Sequence, residues 1–303
     1  MTPHRHWTFG ASTLERVIES EDALLSPFEI FFDCTQAHLD ANRDWLQPRF
    51  QDPASGILAI TIQSFLVRQN GLTILVDACG GNDKERARPH FHRRSWPWLD
   101  ALRATGVTPE QIDIVLCTHL HVDHVGWNTR LDNGRWVPTF PNARYLVAQR
   151  EWDYWRTAGP AALVRTGDFM TDSVLPIFDS GQAELIGDSY AIKGDIAVEA
   201  APGHTPGLSM LRVRGGGQEA VVCSDLMHHP LQLRYPGWST RFCVDPAQAA
   251  RSREDFLKEH ADTGRLVFPT HFPSPTGCTI HRDGSFYNFT YSGESAPQIH
   301  GSV

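Results

Sequence analysis

Residues 118–127 read Thr-His-Leu-His-Val-Asp-His-Val-Gly-Trp, placing four potential metal ligands, His119, His121, Asp123 and His124, within six positions. Imidazole and carboxylate are donors that zinc and similar divalent ions take three or four at a time, and a catalytic site leaves one position for water. In an extended turn, residues two apart point to the same side, so His119 and His121 are set to grip one ion. Asp123 and His124 then face elsewhere, toward a second ion close by. The competing reading is a polar loop that happens to be rich in histidine, and the rest of the chain weighs against it.

Three more candidates lie downstream. His204 follows Pro202-Gly203, Asp225 opens the run Asp225-Leu226-Met227-His228-His229, and His271 sits in Pro269-Thr270-His271-Phe272. Singly each is weak, because a lone histidine is more often a loop or core residue. A strand-end aspartate, likewise, is usually a turn residue or a helix cap. Their joint position strengthens them. Ile112–Cys117, Ile196–Ala200, Glu219–Cys223 and Leu266–Phe268 each read as a strand running straight into one of these segments. Open α/β sheets place their sites at such carboxyl ends. Divided in two, His119, His121 and His204 make a three-imidazole site, and Asp123, His124 and His271 make a mixed one. Asp225 has two carboxylate oxygens with which to bridge two ions that share a hydroxide, a pair ordinarily held about 3.5–4 Å apart.

The elements that must position these residues are unevenly marked. Ile57–Arg68 and Leu72–Val76 read as strands joined at Asn70-Gly71, a strong hairpin signal. Ser95–Ala104 reads as a helix, and Thr108-Pro109-Glu110-Gln111 has the capping-box spacing of a single turn. Asn142–Ala148 reads as a strand, Glu151–Arg156 as the start of a helix, and Asp245-Pro246 as the opening of another. Ser285–Tyr291 alternates like a late strand. The basic run Lys84–Arg94 reads as a solvated loop in preference to an anion-binding or subunit-contact segment. Gly159–Gly181, punctuated by glycine and proline, is a segment that could cover a pocket. Residues 1–50 form an extension holding a short apolar run, Phe28–Phe32; its role is not readable, edge strand and interface arm both being open, and 292–303 form a loose tail. A single domain over 1–303 is the simplest organisation.

Composition bounds the class. With 41% hydrophobic residues, 20% charged residues and a formal net charge of −8, the chain reads as an ordinary globular enzyme not steered globally toward nucleic acid. Its six cysteines include no Cys-x-x-Cys pair, which favours buried thiols in a reducing compartment. The N-terminus lacks the apolar region of a secretory signal, and no stretch has the apolar length of a membrane span. The expectation is therefore a cytoplasmic protein with a small-molecule substrate and no nucleic-acid or membrane partner, a homodimer being the assembly to test.

On these motifs the sequence resembles the metallo-β-lactamase superfamily. His119, His121, Asp123 and His124 match its signature motif, Pro202-Gly203-His204-Thr205 its next histidine motif, Asp225 its bridging carboxylate and His271 its last histidine. The match runs roughly from Ile57 to Ile280. It implies an α/β fold, a four-layer αβ/βα sandwich with a dinuclear site at one edge, and two zinc ions, other divalent metals being compatible. Asp77 matches an aspartate that orients a ligand imidazole, against a simple turn residue on the bare reading. Asp225 argues against the antibiotic-degrading members, His121 against the flavodiiron proteins, and the lack of a basic insertion against ribonuclease Z-like members. Glyoxalase II-like thioesterases typically have Gly-Gly where this chain has Gly126-Trp127.

The nearest branch contains methyl parathion hydrolase and the N-acyl homoserine lactonases. Lactonases of this branch commonly carry tyrosine three residues past the bridging aspartate, where this chain, like the organophosphate hydrolases, has His228. The resemblance therefore implies a dinuclear zinc hydrolase of small hydrophobic lactones or esters, with phosphotriester hydrolysis as the alternative reaction. A non-catalytic metal-bearing module for nucleic acid or a partner, and a mononuclear iron dioxygenase, are the readings from other classes. A metal-bridging hydroxide would attack, Asp123 would orient it and carry a proton to the leaving group, and His228 would either donate to the oxyanion or serve as a loop histidine. Trp127 and Phe272, each close behind a ligand, are expected in the substrate pocket wall, whereas Trp152 and Trp155 are expected in the core.

Overall fold

The computed structural model describes residues 6–163 and 167–293. Among the described residues, sixteen strands form two seven-stranded sheets and one small hairpin. The first sheet runs in the order β1 (His6–Phe9), β2 (Ser12–Leu25), β3 (Leu58–Gln69), β4 (Leu72–Val76), β5 (Ile114–Cys117), β8 (Arg144–Ala148) and β9 (Ala183–Ile186). The hairpin pairs β6 (Thr129–Asp132) with β7 (Arg135–Pro138). The second sheet contains β10 (Ser189–Lys193), β11 (Ile196–Ala200), β12 (Ser209–Gly215), β13 (Gln218–Val222), β14 (Leu266–Phe268), β15 (Cys278–Asp283) and β16 (Phe286–Tyr291), in chain order.

Period-two alternation within the apolar strands builds the layers. Phe65, Val67, Ile74, Val76, Ile114 and Leu116 point toward the other sheet and meet Val198, Leu211, Val213, Val222 and Phe268 there. Their neighbours Leu66, Leu75, Val115 and Cys117 face the opposite way, onto a helical layer that includes Trp98, Leu102 and Trp155. On the second sheet Val221, Cys223 and Val267 face Phe256 and Leu257 of the helix Pro246–His260. Helix, sheet, sheet and helix are thus stacked as the four-layer sandwich expected. Each fully buried Val, Leu, Ile or Phe in these layers contributes about 1.5–3 kcal/mol, so truncating the central Leu116 to alanine would cost about 2–5 kcal/mol.

Local chemistry sets the connections. Asn70 and Gly71 take positive φ values of 54° and 76°, the two-residue turn their sequence announces. Asn133 and Gly134, with φ of 49° and 77°, do the same between β6 and β7, a hairpin the sequence reading passed over although it carries the same dipeptide. Asp245 caps the helix Pro246–His260 by accepting from Gln248 N at 2.9 Å.

The structure makes the N-terminal extension readable, and two segments, Gly159–Gly181 and the basic run, differ from expectation. Within the extension, β1 is the edge strand of the first sheet and β2 pairs along β3 from Thr13 to Leu25, while Phe28–Phe32 is a short helical turn followed by a bridge from Phe31 to Thr240. The described part of Gly159–Gly181 is largely helical and buries Phe169, Met170 and Val174 in the first sheet's outer core instead of covering a pocket. The basic run is not simply a solvated loop. Lys84 Nζ donates to Thr129 Oγ1 (2.6 Å) and to the Asp172 carbonyl (3.0 Å), and Arg86 forks onto Asp172 at 2.6 and 2.7 Å. Burial pushes Lys84 down to about 7 despite the nearby Asp172. Most of the tail, from 294 on, lies outside the described residues. No helix among the described residues is long and apolar enough to cross a membrane.

Candidate active site

The strands deliver the ligand-type residues to one edge of the sandwich. β5 ends at Cys117, the chain bends at Thr118 and His119, and His121 is extended (φ −100°, ψ 161°) before the helical turn Val122–Val125. That change of conformation, more than strand alternation, separates the His119/His121 pair from the Asp123/His124 pair. The turn is closed from behind by Gly126. A Cβ there would stand 1.9 Å from the Gly80 carbonyl oxygen, so only glycine permits the contact.

Seven side chains converge. His119, His121, His204 and Asp225 form one group and Asp123, His124 and His271 the other, the donor atoms within each group lying within 4.8 Å of one another. His121 Nδ1 stands 3.1 Å from His119 Nε2 and 2.9 Å from His204 Nε2. Asp225 lies between the groups: Oδ1 is 3.0 Å from His271 Nε2 and 3.2 Å from His124 Nε2, while Oδ2 is 3.2 Å from His271 Nε2, 3.3 Å from His204 Nε2 and 3.7 Å from His119 Nε2. Asp123 is the more open member, 3.6 Å from His271 Nε2 and 3.7 Å from His124 Nε2.

Contacts behind the imidazoles decide which nitrogen faces inward. Asp77 Oδ2 lies 2.8 Å from His124 Nδ1, and Asp77 Oδ1 accepts from Thr118 N at 2.9 Å. His271 Nδ1 lies 2.9 Å from the Thr61 carbonyl oxygen. In both rings Nε2 is left for the centre, the arrangement that outer contacts give metal-bound histidines. The buried His124 Nε2 and Asp225 Oδ1 have no hydrogen-bond partner. Buried polar atoms are seldom left so, and a cation placed between the groups would satisfy both. The residues fit a divalent metal pair on this ground and on donor chemistry.

Electrostatics differ between the halves. Burial holds His119 and His204 well below the ordinary histidine value and His121 at about 4, so these imidazoles are neutral, the form that binds metal. Burial also opposes charging of His124 and His271, but the carboxylates around them, Asp225 foremost, outweigh it and raise both. Asp225 would be raised by its own burial, yet the ring of histidines led by His124 and His271 holds it well below the carboxylate range.

A cavity of about 500 Å³ opens onto this cluster. Leu24, Leu25, Ile30, Ile60, Ile62 and Phe91 line it on the apolar side, and Trp155, Arg88 and Phe242 also contribute. His228 lines it too, with Nε2 3.1 Å from Asp225 Oδ2 and neither ring nitrogen in a hydrogen bond. His229 does not line it. Its Nε2 faces the Phe50 carbonyl oxygen at 3.0 Å and its Nδ1 accepts from Leu231 N at 3.2 Å, which makes it a core histidine.

Two pocket assignments are corrected. Trp127 is buried, stacked on Trp98 at 5.5 Å with its indole N–H given to Glu19 at 2.8 Å, because the helical turn after His121 swings it behind the motif. Phe272 is fully buried against Phe289 in the second sheet's outer core. Trp155, expected in the core, is buried there and also lines the cavity, its ring 5.5 Å from that of His121, while Trp152 stacks on Phe178. The wall residues missed by the sequence reading come from segments remote from the ligands. Their one signal was the apolar character of Leu24-Leu25 and of Phe28–Phe32.

Comparison with known proteins agrees with this geometry. Residues 60–284 match the family model described as the metallo-beta-lactamase superfamily. The chain is 30% identical over 228 residues to N-acyl homoserine lactonase AttM of Rhizobium radiobacter, covering 67% of this chain and 80% of that protein. It is 29% identical over 213 residues to metallo-beta-lactamase domain-containing protein 1 of Xenopus laevis, covering 68% of each. Among solved structures, the hydrolase AbOPH of the beta lactamase superfamily superposes with a TM-score of 0.81 at 23% identity, covering 100% of this chain and 99% of that one. AidC, a dizinc quorum-quenching lactonase in complex with a product, superposes with a TM-score of 0.79 at 22% identity, covering 96% and 98%. Both structural likenesses speak for the fold.

Proposed function

The chain belongs to the metallo-β-lactamase superfamily, and on that premise we propose that it is a dinuclear zinc hydrolase that opens lactones or small hydrophobic esters. The observation that carries the reading is Asp225, whose carboxylate stands within 3.3 Å of imidazole nitrogens of both ligand groups across a buried centre. The likeness to a lactonase at 30% identity and the apolar cavity wall favour a neutral substrate with a hydrocarbon portion.

Two zinc ions bound there would supply Lewis-acid charge and bring a shared water's pKa toward about 7. The remaining steps belong to the chain's own residues. Asp123, at the cavity wall, accepts the proton of the attacking water and returns it to the leaving alkoxide. His228, which lines the cavity with Nε2 3.1 Å from Asp225 Oδ2, turns an imidazole N–H to the carbonyl oxygen that gains charge. Leu24, Ile60 and Phe91 hold the hydrocarbon portion and exclude water from that side.

The test is metal quantification followed by a panel of N-acyl homoserine lactones, aryl esters and aryl phosphotriesters. Expected are two zinc ions per chain and lactone or ester turnover that a strong chelator abolishes and zinc restores. Phosphotriester turnover above lactone turnover would move the protein to the alternative reaction, and one iron per chain would point to oxygen chemistry instead. Hydrolysis that survives the chelator would overturn the proposal. Asp225→Asn separates catalysis from a binding module, because it should remove turnover by more than about 100-fold if the reacting groups lose their alignment.

A further inference from the structure

Glu151 lies in the first turn of the helix Gln149–Leu163 and is fully buried. A carboxylate in that position ordinarily faces solvent and the positive end of the helix dipole. This one turns inward. Oε1 accepts from Leu120 N at 2.9 Å and from the Trp155 indole N–H at 2.6 Å, and Oε2 accepts from Gly207 N at 3.0 Å. Leu120 lies between His119 and His121, Gly207 lies three residues beyond His204, and Trp155 forms part of the cavity wall beside His121. One side chain therefore grips both loops of the three-imidazole group and the indole facing the substrate space.

The fit leaves no slack. A Cβ on Gly207 would stand 2.5 Å from Glu151 N and 2.7 Å from Glu151 Cβ, so glycine at the end of Pro202–Gly207 is what lets the loop reach the carboxylate. A residue serving only to fill this space would be apolar, since a buried carboxylate is expensive unless hydrogen bonds compensate it. All three partners are N–H donors, a set an amide cannot match, because it presents one acceptor oxygen and one donor nitrogen.

We infer that Glu151 is a positioning residue that sets His121, His204 and the Trp155 wall in one register, so that the three-imidazole half closes on its ion. The inference rests on the dinuclear reading above. Its consequence is selective: without the carboxylate, that half loses affinity while the Asp123–His124–His271 half, braced by Asp77 and the Thr61 carbonyl, does not.

The test uses the zinc-loaded full chain and follows occupancy of each ion through graded chelator competition, with circular dichroism as the check on folding. Glu151→Gln should leave one ion bound as in the parent and weaken the other about 10–100-fold, the usual range for loss of an outer contact. In a His204→Ala background, where the same half is already disabled, the substitution should add nothing further. Glu151→Asp, which keeps the charge but falls a methylene short, should fold and show the same selective loss. Parent-like occupancy in Glu151→Gln, equal weakening of both ions, or failure of both variants to fold would each overturn the assignment. A parent that binds no ion pair would sink the dinuclear reading and this inference with it. A parent with two ions and variants with the same two would sink the inference alone.

Discussion

The signature motif is flanked by two buried glutamates that make the same kind of contact on opposite sides. Glu19, on β2, accepts from Gly80 N (2.9 Å), Gly81 N (3.0 Å) and the Trp127 indole N–H (2.8 Å). Glu151 likewise accepts from two backbone N–H groups and the Trp155 indole. The chemistry is shared; the placement of the indoles is not. Trp127 stacks on Trp98 in the core, so Glu19 braces the scaffold behind Asp77 and His124. Trp155 has one face on the cavity, so Glu151 ties the scaffold to the substrate space. The Glu19 side should therefore answer to perturbation chiefly through stability, and the Glu151 side through binding.

The largest effect is expected where the Glu19 side has no room to yield. Gly126→Ala drives a methyl into the Gly80 carbonyl, which is backbone and cannot swing away. It should cost at least about 5 kcal/mol, the range reserved for severe local conflict, read as a shifted denaturation midpoint. A parent-like midpoint would mean this side is loosely packed and that the two flanks of the motif do not differ in this way.

A paired truncation sharpens the contrast. Trp127→Ala should lose about 3–4 kcal/mol of stability, as buried tryptophans do, with KM of the folded fraction little changed. Trp155→Ala should lose less stability but raise KM about tenfold, equivalent to ~1.4 kcal/mol. Equal KM changes in the two variants would erase the distinction.

The same two tryptophans mark where sequence reasoning reaches its limit. The motif His119–His124 was legible because its spacing is local and its chemistry rare. His204, Asp225 and His271 were legible jointly, through the apolar strands that precede each one, and the layered fold was implied by the family resemblance those residues carry. The cavity wall was not, because adjacency to a ligand in sequence says little once the chain changes from strand to helical turn. Trp127 follows His124 by three residues yet faces away, while Trp155, four residues past Glu151 on a helix, comes round to the cavity. Leu24, Leu25 and Phe91 reach it only through tertiary packing, and no spacing announces that. The buried Lys84 and Arg86 were read as solvated because their partner, Asp172, is remote in sequence.

Protonation gives a further test of the Glu19 side. Burial raises the Glu19 carboxyl from 4.5 to about 7, against hydrogen bonds from Gly80, Gly81 and Trp127 that favour the charged form. Between those values the folded protein keeps a proton that the unfolded chain has released. Stability from this group is thus present below pH 4.5 and falls as pH rises through 7, by roughly 3 kcal/mol at most. Denaturation midpoints of the parent should decline between pH 5 and 8 relative to those of Glu19→Gln, which has no proton to lose. Parallel profiles would show that Glu19 titrates as it does in the unfolded chain.

The smallest effect concerns what stands behind single imidazoles. His124 has a carboxylate, Asp77, at 2.8 Å, whereas His204 Nδ1 faces the Cys243 thiol at 3.6 Å. A thiol is a weak hydrogen-bonding group, so it orients the ring poorly compared with a carboxylate. Asp77→Asn should weaken one zinc ion about 10–100-fold, while Cys243→Ala should weaken the other by less than about tenfold. The difference follows if the His204 loop is held from its Gly207 end by Glu151 rather than through its ring. Should Cys243→Ala match Asp77→Asn in the same chelator titration, the thiol would be the brace on that side. Glu151 would then be reduced to packing, and the two flanks of the motif would differ less than their tryptophans suggest.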